Sequence, residues 1–371
     1  MNFALSEEHE FLRTVARTFV KNEIDLAPLL IPGATVDDAG YASNWKKIVE
    51  VGWPGLIVPE ACGGSEMSCI DLAMVVGEMG RELVPSPFFG TLAATWTILR
   101  AASPEQRDRM LASVVGDGAS MALAIADADG ASDGPSSDTR ATQKGDRFVL
   151  NGSKSFVVDA AAATNIVVAA DSAGGRRFFV VDARDAGVCL DVLPWRDVTR
   201  QVCSVRFDDV EGEMLPGDAA EVWPWVRDRL LLVLSAESAA GIERVLESTV
   251  AYAKERVAFG RPIGAYQAIK HALADTFGTS ECANVATLYA AWALSQQVPD
   301  ASIAAAMAQA YTSDAYIAAT QQSIQIFGAL GFSWEMKNHL YFKRARANAT
   351  LLGQASGHRA RVIDMVARAA A

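Results

Sequence analysis

No apolar run in these 371 residues approaches the roughly 20 that a membrane-crossing helix needs; the best candidate, Leu230 to Leu234, is far shorter. The amino terminus, Met1 to Arg13, carries acids where a signal peptide would carry a basic region, so a cytoplasmic protein is expected. Positive charge is scarce too: 33 Lys and Arg against 44 Asp and Glu leave a net charge of −11. A surface evolved for nucleic acid needs clustered cations to neutralise phosphates, so that partner class is excluded. Solubility alone explains the acidity. Cysteine is confined to five scattered positions, Cys62, Cys69, Cys189, Cys203 and Cys282, with no Cys-x-x-Cys spacing for zinc or redox work. These read as buried or idle thiols, and no metal site is expected.

Apolar residues, by contrast, make up 51% of the chain, enough for sizeable cores, and the length predicts more than one domain. From Ser6 onward Phe11, Val15 and Phe19 recur every four residues beside Leu12, Ala16 and Val20, the stripe of an amphipathic helix whose start suits Ser6-Glu7-Glu8. Trp45 to Val51, Asp71 to Leu83 and Thr91 to Ala101 repeat the helical pattern. Near Ser120 the period changes. Phe148 to Leu150 and Ser155 to Val158 read as two strands joined by an Asn151-Gly152 turn, and Asn165 to Ala170, Arg177 to Asp182 and Val188 to Leu193 read as further strands. In Cys203 to Asp208 alternate residues are apolar, as in a half-buried strand. Beyond Pro216-Gly217, four long Ala- and Leu-rich segments (221–255, 266–295, 302–328 and 335–371) predict an antiparallel helical bundle. The expected architecture is α+β, mainly α: a helical domain over 1–117, a β domain over 118–218 and a four-helix bundle over 219–371.

Two motifs carry the first functional signal. Tyr252-Ala-Lys-Glu-Arg256-Val-Ala-Phe259-Gly260-Arg261-Pro-Ile-Gly-Ala-Tyr-Gln267-Ala is followed by Gln325-Ile-Phe-Gly328-Ala329-Leu-Gly331-Phe. Arg256 offers a planar fork of donors suited to a pyrophosphate, Phe259 a face for an adenine, and Gln267 and Gln325 neutral amides for polar edges. Gly328 and Gly331 permit close approach of backbone amides to phosphate. Both motifs, together with Asn151-Gly-Ser-Lys154 and Phe207-Asp-Asp-Val210, resemble the signatures of the acyl-CoA dehydrogenases over nearly the whole chain. The resemblance implies FAD as cofactor, an acyl-CoA substrate, an electron-transfer acceptor and an oligomer. In that family Arg256, Phe259, Gln267, Gln325, Gly328 and Ala329 would reach across a subunit interface to the adenosine diphosphate half of a neighbour's FAD.

Elsewhere the sequence departs from the family pattern. The run Ile125 to Asp133 matches a flavin-holding stretch, but the threonine that would hydrogen-bond the flavin is Ala126, and Asp129 adds a carboxylate where a pyrophosphate should pass. Behind the aromatic Phe156, Val158 replaces a second flavin-contacting hydroxyl. Leu351-Leu352-Gly353-Gln354 stands where many members carry a catalytic glutamate. An alternative base position falls at Asp228, one methylene shorter than the usual glutamate and also readable as an ordinary acid near a helix start. Groups used on a neighbour's cofactor are thus kept while groups used on the chain's own are lost. The pattern resembles the degenerate subunit of actinobacterial α2β2 acyl-CoA dehydrogenases of sterol side-chain β-oxidation, which implies a homologous catalytic partner. The alternatives are a self-sufficient homotetramer using Asp228 as base, and a non-enzymatic scaffold on the same fold.

Overall fold

A computed structural model describes residues 5–127 and 138–369. In chain order the elements are α1 (Glu7–Glu23), α2 (Tyr41–Glu50), α3 (Cys69–Arg81), α4 (Phe88–Ala101), α5 (Pro104–Gly116), β1 (Met121–Ala124), β2 (Arg140–Lys144), β3 (Arg147–Val158), β4 (Asn165–Ser172), β5 (Gly175–Asp182), β6 (Val188–Val192) and β7 (Val202–Asp218). Then come α6 (Ala219–Glu255), β8 (Val257–Ala258), β9 (Arg261–Pro262), α7 (Gln267–Gln296), α8 (Ala301–Phe327), α9 (Asn338–Asn348) and α10 (Ala355–Ala369). Helices precede a central sheet and long helices follow it, an α+β architecture dominated by helix, as the sequence predicts.

The described residues fall into two compact units. One holds α2, α4, α5 and the large sheet; the other holds α1, α3 and the chain from Asp228 onward. In the first, strands pair in the order β4–β2–β3–β7–β5, and β5 returns to pair with β4, so the sheet closes on itself, with β1 beside β4 and β6 beside β7. Ile166, Phe179, Cys203, Val205 and Phe207 fill its interior. Cys203, Val205 and Phe207 are buried while Arg206 and Asp208 are exposed, the alternation expected of that strand.

The Asn151-Gly152 turn is corrected. β3 runs unbroken through both residues, and the reversal into it lies at Gly145-Asp146. Asn151 and Gly152 instead form a bulge against β7, where the register shifts between Leu150 and Gly152. Asn151 is tied to Asp209 by two hydrogen bonds, side-chain amide to carboxylate and backbone N–H to amide oxygen, each 3.0 Å. Gly152 adopts φ +138, and a Cβ there would stand 2.6 Å from Thr139 Cα.

In the second unit α1 starts where Ser6 caps it, accepting from His9 N at 3.2 Å. Its buried side is Ala16 and Val20, whereas Phe11 and Val15 of the apolar stripe are exposed. Arg17 of α1 forms a bidentate pair with the buried Glu78 of α3 (2.8 and 2.9 Å). The last expected bundle helix is two: α9 and α10 are separated by a break in which Leu352 and Gly353 adopt φ +61 and +106. That left-handed pair ends one helix and re-aims the next. Helix α5 was not separately legible as an apolar stripe; Ser103, Pro104 and Gln106 start it with a capping box.

Candidate functional site

Helix α6 ends at Glu255, and the next eight residues fold back as a two-stranded hairpin, Val257 opposite Pro262 and Ala258 opposite Arg261. Its two-residue tip is Phe259-Gly260, with φ of +52 and +79. Such a tight hairpin turn requires positive φ at both positions, a demand glycine meets freely and phenylalanine meets at a cost of about 1–2 kcal/mol. Phe259 is 97% exposed, so no packing within this chain offsets that cost. The hairpin base is braced instead: Tyr266 Oη donates to Ala258 O at 3.0 Å and the Arg261 guanidinium lies 4.2 Å from the Tyr266 ring centroid. Arg261 is thereby engaged, while Arg256, exposed at the hairpin's root, has no ion-pair or hydrogen-bond partner for its side chain among the described residues.

Gln325 and Gly328 lie at the end of α8. Both are exposed, as is Ala329. Gly328 takes φ +64 and ψ −139, a conformation that side chains disfavour, and a Cβ there would meet nothing within 4 Å. Gly331 behaves differently from the expectation that it opens the backbone to phosphate. It is buried, and a Cβ would stand 2.7 Å from Ile324 O and 3.0 Å from Phe327 Cβ, so the absence of a side chain serves internal packing. Between these motifs the ring of Tyr252, one turn before Arg256, lies flat on that of Phe327, directly before Gly328. The end of α6 and the end of α8 are thus held together. Gln267, exposed, opens α7. The exposed groups of the two motifs are a guanidinium without a partner among the described residues, an aromatic face, two amides and an unobstructed glycine, the kinds of group that hold an adenine and a pyrophosphate.

Asp228 lies elsewhere. It sits in the third turn of α6, not at a helix start, so the helix-dipole explanation of this acid is corrected. Along α6 it is about 40 Å from Glu255, at 1.5 Å per residue. The carboxylate is buried and accepts from Arg361 Nη2 at 2.6 Å and from Ser302 Oγ. Leu352, standing where a glutamate was sought, has no group to accept a proton.

In the sheet unit, Lys154 is fully buried and its Nζ donates to Asp127 Oδ1 at 2.7 Å and Ile125 O at 3.0 Å. Asp127 also accepts from Asp138 N at 2.8 Å. Burial holds the Lys154 ammonium below its ordinary pKa, a pull that pairing with Asp127 opposes. Nothing in the sequence singled out Asp127 as this partner. Asp129 to Asp133, read as a flavin-facing run, lie outside the described residues. Val158 is buried and Phe156, at φ +54, is partly exposed with its ring edge-on to Trp195. Neither Ala126 nor Val158 supplies a side-chain hydrogen bond. Among the described residues no group of side chains is arranged to hold a metal, and no helix is long and apolar enough to cross a membrane.

Residues 6–117 match the acyl-CoA dehydrogenase N-terminal domain and residues 229–367 the acyl-CoA dehydrogenase C-terminal domain. The chain belongs to the acyl-CoA dehydrogenase family, whose members are FAD-binding oxidoreductases. It is 34% identical over 349 residues to the acyl-CoA dehydrogenase IpdE2 of Mycobacterium tuberculosis, covering 93% of each chain. Among solved structures it is similar to the Tcur3481–Tcur3483 steroid ACAD, with 26% identity, a TM-score of 0.84 and coverage of 98% and 99%. The ChsE4–ChsE5 complex from Mycobacterium tuberculosis shares the fold, with a TM-score of 0.86 at 23% identity over 99% of both chains.

Proposed function

We propose that this chain is a subunit of a heteromeric acyl-CoA dehydrogenase in which it completes the FAD site of a homologous catalytic partner rather than building a full site of its own. The observation that carries the reading is the hairpin tip: an aromatic held at positive φ and 97% exposed, close to Arg256, whose side chain has no partner among the described residues. Backbone strain without internal compensation points to a ligand or a neighbouring chain.

The residues fit one half of the cofactor and not the other. Arg256 would take the pyrophosphate with its fork of donors, Phe259 would stack on the adenine, and Gln267, Gln325 and the backbone at Gly328 and Ala329 would satisfy the remaining polar edges. For the flavin ring the chain offers Ala126 and Val158, whose side chains donate nothing. Asp228 is occupied by Arg361 and stands far along α6 from Arg256, so the two do not form one site within this chain. Bound FAD would supply the hydride acceptor for an acyl-CoA α,β-dehydrogenation, with the α-proton going to a carboxylate on the partner and the electrons to an acceptor protein. This chain's part would be to hold and orient the nucleotide through Arg256, Phe259, Gln267, Gln325 and the backbone at Gly328. The likeness to Tcur3481–Tcur3483 supports a bulky steroid side-chain thioester as substrate and a two-chain assembly.

Co-expression with homologous acyl-CoA dehydrogenase chains, followed by purification of the complex, tests this directly. Arg256→Ala is expected to release most of the FAD while the two chains stay together. Unchanged FAD content in that variant contradicts the proposal and leaves a scaffold role.

A further inference from the structure

The stack of Tyr252 on Phe327, with ring centroids 4.0 Å apart and planes 11° apart, joins two segments that are 75 residues apart in sequence. On one side, Arg256 N donates to Tyr252 O at 2.8 Å, so the last turn of α6 carries the ring and the guanidinium root as one rigid piece. On the other side, Phe327 ends α8, and the N–H of the next residue, Gly328, returns to Gln325 O. Gly331 lies against the Cβ of Phe327, so even the small residue of the second motif serves to seat this ring. Phe327 is buried and Tyr252 half-buried, and among the described residues the Tyr252 hydroxyl has no hydrogen-bond partner.

We propose that Tyr252 and Phe327 are positioning residues of the nucleotide site: their stacked rings set the spacing between Arg256 and the Gln325–Gly328 turn. This rests on the functional reading above, that Arg256 and the Gln325–Gly328 turn hold one nucleotide. Donors to a pyrophosphate must sit at hydrogen-bond distance, and donors misplaced by about 1 Å lose most of their value. Neither ring needs to touch the cofactor. The aromatic face, not the hydroxyl, carries the role, so phenylalanine at position 252 suffices.

The test uses the co-purified complex, stripped of FAD and titrated with FAD by flavin fluorescence, with the melting temperature of the stripped complex recorded alongside. Tyr252→Leu and Phe327→Leu are each expected to weaken FAD binding by about 3- to 10-fold, the order of an aromatic pair's contribution, and Tyr252→Leu, at a half-buried position, with little change in melting temperature. Tyr252→Phe is expected to restore wild-type binding. Should either leucine variant fail to fold, the other decides. If Arg256→Ala weakens FAD binding but both leucine variants bind as wild type, the positioning role is overturned and the functional reading stands. Weakening that tracks a lowered melting temperature and is not restored by Tyr252→Phe overturns it too. If Arg256→Ala itself binds FAD normally, it is the functional reading that falls.

Discussion

The carboxylate of Asp228 accepts a hydrogen bond from Arg361 at 2.6 Å, tying α6 to α10 inside the carboxy-terminal helices. Both side chains are largely withdrawn from water, 5% and 19% exposed. A pairing of this kind ties two helices together, whatever else the carboxylate does.

Asp228→Ala therefore separates a structural acid from a catalytic one. It leaves Arg361 without its counter-charge and is expected to cost about 3 kcal/mol of stability in urea unfolding, with turnover per folded complex unchanged. A loss of roughly 10²- to 10⁴-fold in turnover at unaltered stability would instead identify Asp228 as the base.

The Lys154–Asp127 pair is more deeply buried than any other described ion pair, at 0% and 1% exposure. Asp127→Ala alone strands a buried ammonium and is expected to destabilise the sheet unit by about 3–5 kcal/mol. Asp127→Leu combined with Lys154→Met removes both charges and should recover much of that loss. Equal instability of the single and double variants in a denaturant series would refute the pairing as the cause.

His339 gives the protein a defined acid sensitivity. Its ring is buried edge-on to Trp334, Nε2 has no partner among the described residues, and burial, aided by the charge of Lys343, lowers its pKa from 6.5 to about 4. The folded state therefore binds fewer protons than the unfolded state between those values, and stability falls as pH drops from 6.5 towards 4. At pH 5 the loss from this one group is about 2 kcal/mol. His339→Leu should flatten the pH dependence of the urea midpoint over that window; an unchanged slope would assign it to other groups.

Much of the fold was legible because periodicity reports burial directly: Cys203, Val205 and Phe207 alternate in sequence and alternate in the sheet. Ser6 and the turn-rich boundaries likewise act through short-range hydrogen bonds and caps. Asn151-Gly152 misled because a side-chain tie to Asp209, 58 residues away, converts a turn signal into a bulge. The break at Leu352-Gly353 was hidden by an otherwise helical composition. At the candidate site the motif residues could be named from sequence, but the strain at Phe259 arises from a local hairpin whose turn the sequence did not announce, and the ring stack under the motifs and the Arg361 tie on Asp228 depend on contacts between distant segments. Gly331 shows the limit most plainly: its residue type was noticed, and its packing role needed the neighbouring Ile324 and Phe327.

The division of labour between a nucleotide-holding subunit and a flavin-holding one is tested most directly by counting cofactor. Purify the complex of this chain with its homologous partner, and measure FAD by absorbance after denaturation against total chains by amino-acid analysis. One FAD for every two chains is expected, with none retained by this chain alone. One FAD for every chain, or a yellow protein from this chain by itself, would contradict it.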